Sequence, residues 1–205
     1  MAEHEVMTPT RLEAFSDGVI AIIITIMVLD LHAPLGGSEA LVKLWPILLS
    51  YALSYFVVAI YWMNHHRVFH YVKEVDAPVL WSNILWLFML SFIPFATAYM
   101  GANRLSSFSV AIYSAVALGC ALASTVMRLA IARHIGDDAK LRHLAEAARR
   151  HQLIALTVFA AGIPLAYLHP AISLALFTIV GVDHFRLWRE GRGHRAPRSA
   201  TISHR

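Results

Sequence analysis

The sequence predicts an all-α, polytopic membrane protein, and three observations lead there. Of 205 residues, 58% are hydrophobic and only 15% are charged. The mean hydropathy is +0.59. The apolar residues also gather in runs near the roughly 20 residues that a helix needs to span a bilayer. A soluble domain would be about half apolar and a quarter charged. A disordered chain would combine low hydrophobicity with high net charge, whereas the net charge here is +4. No long polar stretch exists from which to build a large extramembrane catalytic domain. The single cysteine, Cys120, has no partner for a disulfide and cannot form a thiolate metal site alone. Lying in an apolar run, it reads as a packing residue.

Six spans follow from the apolar runs: 12–31, 41–63, 78–100, 108–132, 152–168 and 170–187. The first has a short continuous core, 19–29, entered through Arg11, Glu13, Ser16 and Asp17. A secretory signal peptide is the competing reading, disfavoured because acids flank the run and its exit, Asp30-Leu31-His32, is no small-residue cleavage site. The second, third and fourth runs are long enough to cross unaided. The fifth and sixth are joined only by Leu168-His169-Pro170, which predicts a tight helical hairpin. Pro46, Pro78 and Pro170 stand near span starts, where a missing amide proton is harmless. Pro94 and Pro164 lie inside spans and predict kinks that neighbouring helices tolerate.

Basic residues set the expected topology. With both termini, the 64–77 loop and the 133–151 loop on one side, that side and the adjacent Arg128 hold 15 of the 17 Lys and Arg residues, leaving Lys43 and Arg104 opposite. Positive-inside bias makes the crowded side cytoplasmic. Termini on one side require an even number of spans. The expected organisation is one six-helix domain, 1–187, and a basic flexible cytoplasmic tail, 188–205. Its spaced arginines suit a positive-inside anchor that can meet anionic lipid, with no nucleic-acid partner.

The informative residues are polar groups set against apolar spans. Asp17 could be a plain interfacial acid at a helix N-terminus. However, the second span ends Trp62-Met63-Asn64-His65-His66-Arg67, and the third begins Trp81-Ser82-Asn83. All three clusters lie at the cytoplasmic level. Asp17, His65 or His66, and Asn83 can therefore meet in one network, with bonds of about 1 kcal/mol each. His65, His66 and His70 form an HHxxxH pattern, but a membrane di-iron centre needs several such boxes, and the other histidines are scattered. No GxSxG motif and no glycine-rich phosphate loop is present, so an enzyme is not expected and no cofactor or structural metal is implied. A small proton-coupled transporter, with Asp17 and the histidines as relay, is the alternative from a different class.

The stretch Arg11-Leu12-Glu13-Ala14-Phe15-Ser16-Asp17-Gly18-Val19-Ile20-Ala21-Ile22, continuing through Thr25 and Leu29-Asp30-Leu31, closely resembles the first-helix signature of the transmembrane protein 175 family. These are endosomal and lysosomal potassium channels and their bacterial relatives. Trp62 with His65-His66-Arg67 and Phe69 resembles the end of the family's second helix, and Asn83 with Ser91, Pro94 and Phe95 its third. The likeness covers three spans; the others match in number, length and polarity. A single set of six spans is similar to the bacterial form.

The resemblance implies a potassium channel in the bacterial plasma membrane, a homotetramer whose central pore is lined by the first helix of each chain. Ile22, Thr25, Ile26 and Leu29 share one helical face by their i, i+3, i+4, i+7 spacing. In the resembled family that face lines the pore, and Ile22 occupies the gate position. No carbonyl filter run and no arginine-repeat voltage sensor is present. Selectivity for potassium over sodium would be modest, arising from an apolar constriction and the Thr25 hydroxyl. Arg11, Phe15, Ser16, Asp17, Trp62, His65, His66 and Asn83 would form the supporting polar network, with Asp17 weightier than Glu13. Potassium is cargo in transit near Ile22 and Thr25, and membrane lipid is the other expected partner.

Overall fold

The computed structural model describes residues 7–70, 72–134, 139–178, 180 and 181, with side chains at 139–148 left aside. All described elements are helical: α1 (Pro9–Leu29), α2 (Ser38–Val42), α3 (Trp45–Phe69), α4 (Ala77–Leu90), α5 (Ile93–Ala102), α6 (Ser107–Ala132) and α7 (Ala139–Leu168). A further helix, α8, covers 170–178, with helical geometry again at 180 and 181. Among the described residues, five stretches are long and apolar enough to cross a membrane: Pro9–Leu29, Trp45–Phe69, Ala77–Ala102, Ser107–Ala132 and Arg149–Leu168. The remainder of the expected sixth span and the basic tail lie outside the described residues.

Local chemistry explains where the elements differ from the apolar runs. α1 starts three residues earlier than its run because Thr8 caps it, accepting the Arg11 N–H at 3.4 Å, with Pro9 in the first turn. The third span is two helices. Pro94 has no N–H to offer the carbonyl four residues back and its ring crowds that carbonyl, so α4 stops at Leu90 and α5 restarts at Ile93. Ser91 occupies the break and donates its hydroxyl to Phe88 O at 2.7 Å. α7 is longer than the expected 152–168 span and takes in much of the expected 133–151 loop, while the start of the expected 41–63 run belongs to the short α2 and α3 begins only at Trp45. At the α7–α8 hairpin the His169 ring accepts the Ala171 N–H at 3.2 Å, and Ser173 donates to Gly162 O at 2.8 Å.

α6 forms the centre, packing against α4, α5 and α7, while α1 lies across α3, α4 and α5. The buried face of α6 carries Ala111, Ser114, Ala117, Cys120, Ala121, Ala123, Ser124 and Ala130, and small side chains let neighbouring backbones come close. Polar groups knit the layers. The Ser54 hydroxyl lies 3.1 Å from that of Tyr113 and 2.7 Å from that of Thr97, tying α3 to α6 and α5. Gln152 on α7 donates to Ala121 O at 2.7 Å and to the Thr125 hydroxyl at 3.0 Å.

Gly101 marks a tight crossing of α5 on α3. A Cβ there would stand 2.9 Å from Ile47 Cα, a backbone atom that cannot swing aside. Gly101→Ala should therefore cost about 1–3 kcal/mol through overpacking, read as a lower Tm in detergent. Gly18→Ala, where nothing lies within 4 Å, serves as the mild comparison.

Asp76 caps α4 by accepting the Val79 N–H at 2.9 Å and stands 3.1 Å from His134 Nε2 at the end of α6. The Val79 N–H, and secondarily His134, hold its carboxyl below the usual aspartate range. A depressed folded-state pKa adds stability above the unfolded value of about 4, and that stability is lost as pH falls through the folded value. The parent should thus exceed Asp76→Ala in stability at neutral pH and converge on it below about pH 4, as followed by thermal unfolding against pH.

Candidate functional site

α1 has two unlike faces. Leu12, Ser16, Ile20, Ile23 and Met27 are buried against the bundle. On the other side Phe15 is 57% exposed, Ile22 58%, Ile26 44% and Leu29 74%, and Thr25 is exposed with them. Phe15, Ile22 and Leu29 are separated by seven residues, two turns each, so they stand in line on the helix. Ile23, one residue from Ile22, is only 4% exposed. The Thr25 hydroxyl donates to Ile22 O at 2.9 Å. Its hydrogen is thereby committed to the backbone, and the oxygen lone pairs remain as acceptors on the bare face.

The helix is held in this rotation by three polar rungs. The central one is buried and continuous. His65 Nε2 and Asn83 Oδ1 are 2.9 Å apart, Asn83 Nδ2 donates to Ser16 Oγ at 3.0 Å, and Ser16 donates to Leu12 O at 2.8 Å. Because Asn83 spends its N–H on Ser16, its carbonyl must accept from His65, which places a proton on His65 Nε2. The ring of His65 is sandwiched between Phe69, centroid distance 4.2 Å, and Trp86, 4.9 Å and nearly parallel. The outer rungs join α1 to α3. Trp62 Nε1 donates to Asp17 Oδ1 at 2.9 Å, and His66 Nδ1 lies 2.6 Å from Glu13 Oε1. Glu13 and Asp17 are one turn apart on α1, as Trp62 and His66 are on α3. The pairs run 13 with 66 and 17 with 62, the crossing of two antiparallel helices.

Of the residues expected in one network, Ser16, Asp17, Trp62, His65, His66 and Asn83 thus stand in three adjacent contacts. Asp17 faces Trp62 rather than a histidine. Phe15 is not among them; it lies on the bare face. Arg11 is exposed at the start of α1, where its N–H meets Thr8. Two partners escaped the sequence reading. Glu13 was given less weight than Asp17, yet it holds the short contact to His66; the matching i, i+4 pairs on α1 and α3 were the available signal. Trp86, which stacks on His65, carried no signal beyond being an aromatic residue in an apolar run.

This arrangement lies within 11–94, the residues that match the family model described as "Endosomal/lysosomal potassium channel TMEM175". Over most of its length the chain is similar to a protein named as a potassium channel from Chryseobacterium sp. (strain P1-3), 40% identical over 177 residues, 86% of this chain and 92% of that relative. The chain belongs to the TMEM175 family. A second potassium channel by name, from Streptomyces collinus, is 35% identical over 176 residues, 80% of this chain and 85% of the relative. Among solved structures, the crystal structure of a lysosomal potassium-selective channel TMEM175 homolog from Chamaesiphon minutus superposes with a TM-score of 0.75 at 26% identity, covering 86% of this chain and 95% of that one. Within the TMEM175 family this chain is an integral, multi-pass membrane protein whose described elements are all helical.

The central rung is the costly one to break. Asn83→Ala would orphan the His65 Nε2–H and the acceptor side of Ser16 among fully buried neighbours. It should destabilise the fold by about 1–3 kcal/mol. Asp17→Asn and Glu13→Gln act on more exposed contacts and should each cost at most about 1 kcal/mol, with thermal unfolding of the three variants giving the order.

Proposed function

We propose that the protein is a potassium channel, a homotetramer in which α1 of each chain lines a central pore. The observation that carries the reading is the bare face of α1. An apolar helix that turns Ile22, Thr25, Ile26 and Leu29 away from its own bundle leaves a surface to be covered by copies of itself around an axis. The names of the bacterial relatives and of the Chamaesiphon homolog support potassium as the ion. In this reading six spans cross the membrane, with both termini on the cytoplasmic side of a bacterial plasma membrane. The six-helix unit is a single channel domain, and the arginine-rich tail meets anionic lipid.

Four copies of Ile22 form the narrowest ring and expel water when the neck closes, so that no charged gate is needed. The Thr25 oxygens, with their hydrogens turned to the backbone, offer a ring of acceptors to a partly dehydrated cation one turn further along. Potassium sheds its water more readily than sodium, which gives a modest preference. The channel needs no cofactor and performs no covalent chemistry. For the alternative of a proton relay through Asp17 and the histidines, Asp17 faces Trp62 rather than a histidine, and the acid–histidine contact is that of Glu13 with His66.

Flux through liposomes reconstituted with the pure protein tests the reading. The parent should pass potassium faster than sodium. Ile22→Asn should wet the neck and raise basal flux several-fold with a smaller potassium preference, while Thr25→Val should lower preference or flux without holding the channel open. Ile23→Asn, on the buried face, should impair folding rather than selectivity. If Ile22→Asn assembles normally and matches the parent in both flux and ion preference, the pore assignment is wrong.

A further inference from the structure

Beside His65 the bundle holds a cavity of about 40 Å³, walled by α3, α4, α6, α7 and α8. Among the described residues, three buried polar atoms have no hydrogen-bond partner: His65 Nδ1, Trp86 Nε1 and Arg128 Nε. All three side chains line this one cavity, beside Asn64, Ser124 and Gln152. Three unrelated helices each presenting an unsatisfied group to the same space is not expected of a dry packing defect. Buried polar groups in native folds are almost always paired, with protein or with an occupant.

The chemistry of the walls specifies that occupant. Arg128 brings a full positive charge, and no Asp or Glu is among the described residues lining the cavity. Among the described residues, the charged neighbour that acts on Arg128, Arg67, has the same sign. Arg128 Nε–H and Trp86 Nε1–H are donors and require acceptors. His65 carries its proton on Nε2, toward Asn83, so its neutral ring presents Nδ1 as an acceptor and requires a donor. Both amide hydrogens of Gln152 are spent on Ala121 O and Thr125, which leaves its carbonyl as a further acceptor for water. Water alone would satisfy these bonds and leave the charge of Arg128 without an opposite charge among the described lining residues. An anion alone would leave His65 Nδ1 facing negative charge. An anion accepting from Arg128 and Trp86, with a water donating one hydrogen to it and the other to His65, satisfies all three atoms. In space, a water needs roughly 10–15 Å³ by the same measure, so the cavity takes about three water-sized groups. That admits a halide with one or two waters and is too small for a phosphate headgroup with its esters.

We propose that this cavity binds a monovalent halide, chloride in the cell, with accompanying water, as the counter-ion of Arg128. The site is separate from the bare face of α1, yet it shares His65 with the central rung, so its occupant sits one ring away from the hydrogen bonds that hold the first helix.

The experiment uses the full-length protein in detergent. Sodium gluconate is replaced stepwise by sodium bromide at fixed ionic strength, and thermal unfolding is followed by circular dichroism. The parent should show a saturable rise in Tm of several degrees, as expected for a ligand that binds only the native state, and sodium sulfate should produce no saturable rise. Arg128→Gln should abolish the bromide dependence whatever its starting Tm. Trp86→Phe and Arg128→Lys, each keeping bulk or charge while losing a donor, should move half-saturation to several-fold higher bromide. Crystals of the parent grown in bromide should carry an anomalous peak within hydrogen-bond reach of Arg128 and Trp86, a readout that stands even if Arg128→Gln fails to fold. A flat parent response would mean that the chain supplies its own counter-charge and would overturn the proposal. So would a rise that persists in Arg128→Gln with the same half-saturation, or a cavity without the anomalous peak.

Discussion

The hydrogen-bonded chain from Leu12 O through Ser16 and Asn83 to His65 fixes the rotation of the first helix, and most of what is specific about the molecule follows from that. Ser16, His65 and Asn83 are fully buried in the bundle, where no water competes for these groups, so a partner lost there is not replaced. Asn83 uses both ends of its amide, one toward α1 and one toward α3, which a leucine of similar size could not do. A helix turns about 100° per residue, so a slip of one position would swing Ser16 off Asn83 altogether. With Ser16 inward, Ile20, Ile23 and Met27 follow it into the bundle, and Phe15, Ile22, Ile26 and Leu29 are left outside. The Asp17–Trp62 and Glu13–His66 contacts flank the buried rung and pin the antiparallel register, at less energy because both are partly exposed.

That rung needs a rigid surface to act against, and α6 with its neighbours provides it. The small residues along α6 bring α4, α5 and α7 close, and the Ser54, Thr97 and Tyr113 hydroxyls cross-link α3, α5 and α6 near the other end of α1. There the Thr97 hydroxyl also approaches Met27 Sδ at 3.8 Å. α1 is thus held hard at its polar end and by softer, polarizable contacts near its apolar end. A helix held in this way keeps its facing while its far end can shift, which suits a helix proposed to open and close a neck.

Much of this was legible in the sequence because membrane helices expose their exceptions. Ser16, Asp17, His65, His66 and Asn83 stood out as polar residues at one membrane level, and the stripe through Ile22 and Leu29 followed from period alone. The pairing within the cluster was not legible. Which of Glu13, Asp17, Trp62 and His66 meet depends on the crossing of α1 over α3, a tertiary quantity with no local signature. Helix ends departed from hydropathy where capping or proline chemistry took over, at Thr8, Ser91 and Pro94. The stacking of Trp86 on His65 and the convergence of Arg128 on the same cavity were hidden for a related reason. Residues about 20 and 60 positions beyond His65 are brought beside it only by the bundle, and an arginine near a span end reads first as part of the positive-inside count.

The spacing of the proposed pore residues has a physical consequence of its own. Ile22 and Thr25 are three residues apart, a rise of about 4.5 Å, less than two water diameters of about 2.8 Å each. An ion that gives up water at the isoleucine ring therefore reaches the threonine oxygens before a full dry segment has been crossed, and those oxygens offset part of the lost hydration. The hydrogen bond from Thr25 to Ile22 O makes this possible by removing the hydroxyl hydrogen that would otherwise face the cation. In the proposed pore the same bond would tie the acceptor ring to the backbone of Ile22, so a shift of α1 that widened the Ile22 ring would carry the Thr25 ring with it. In such a pore, gating and selectivity are two properties of one helical turn, and a change in the rotation of α1 set by Asn83 alters both together.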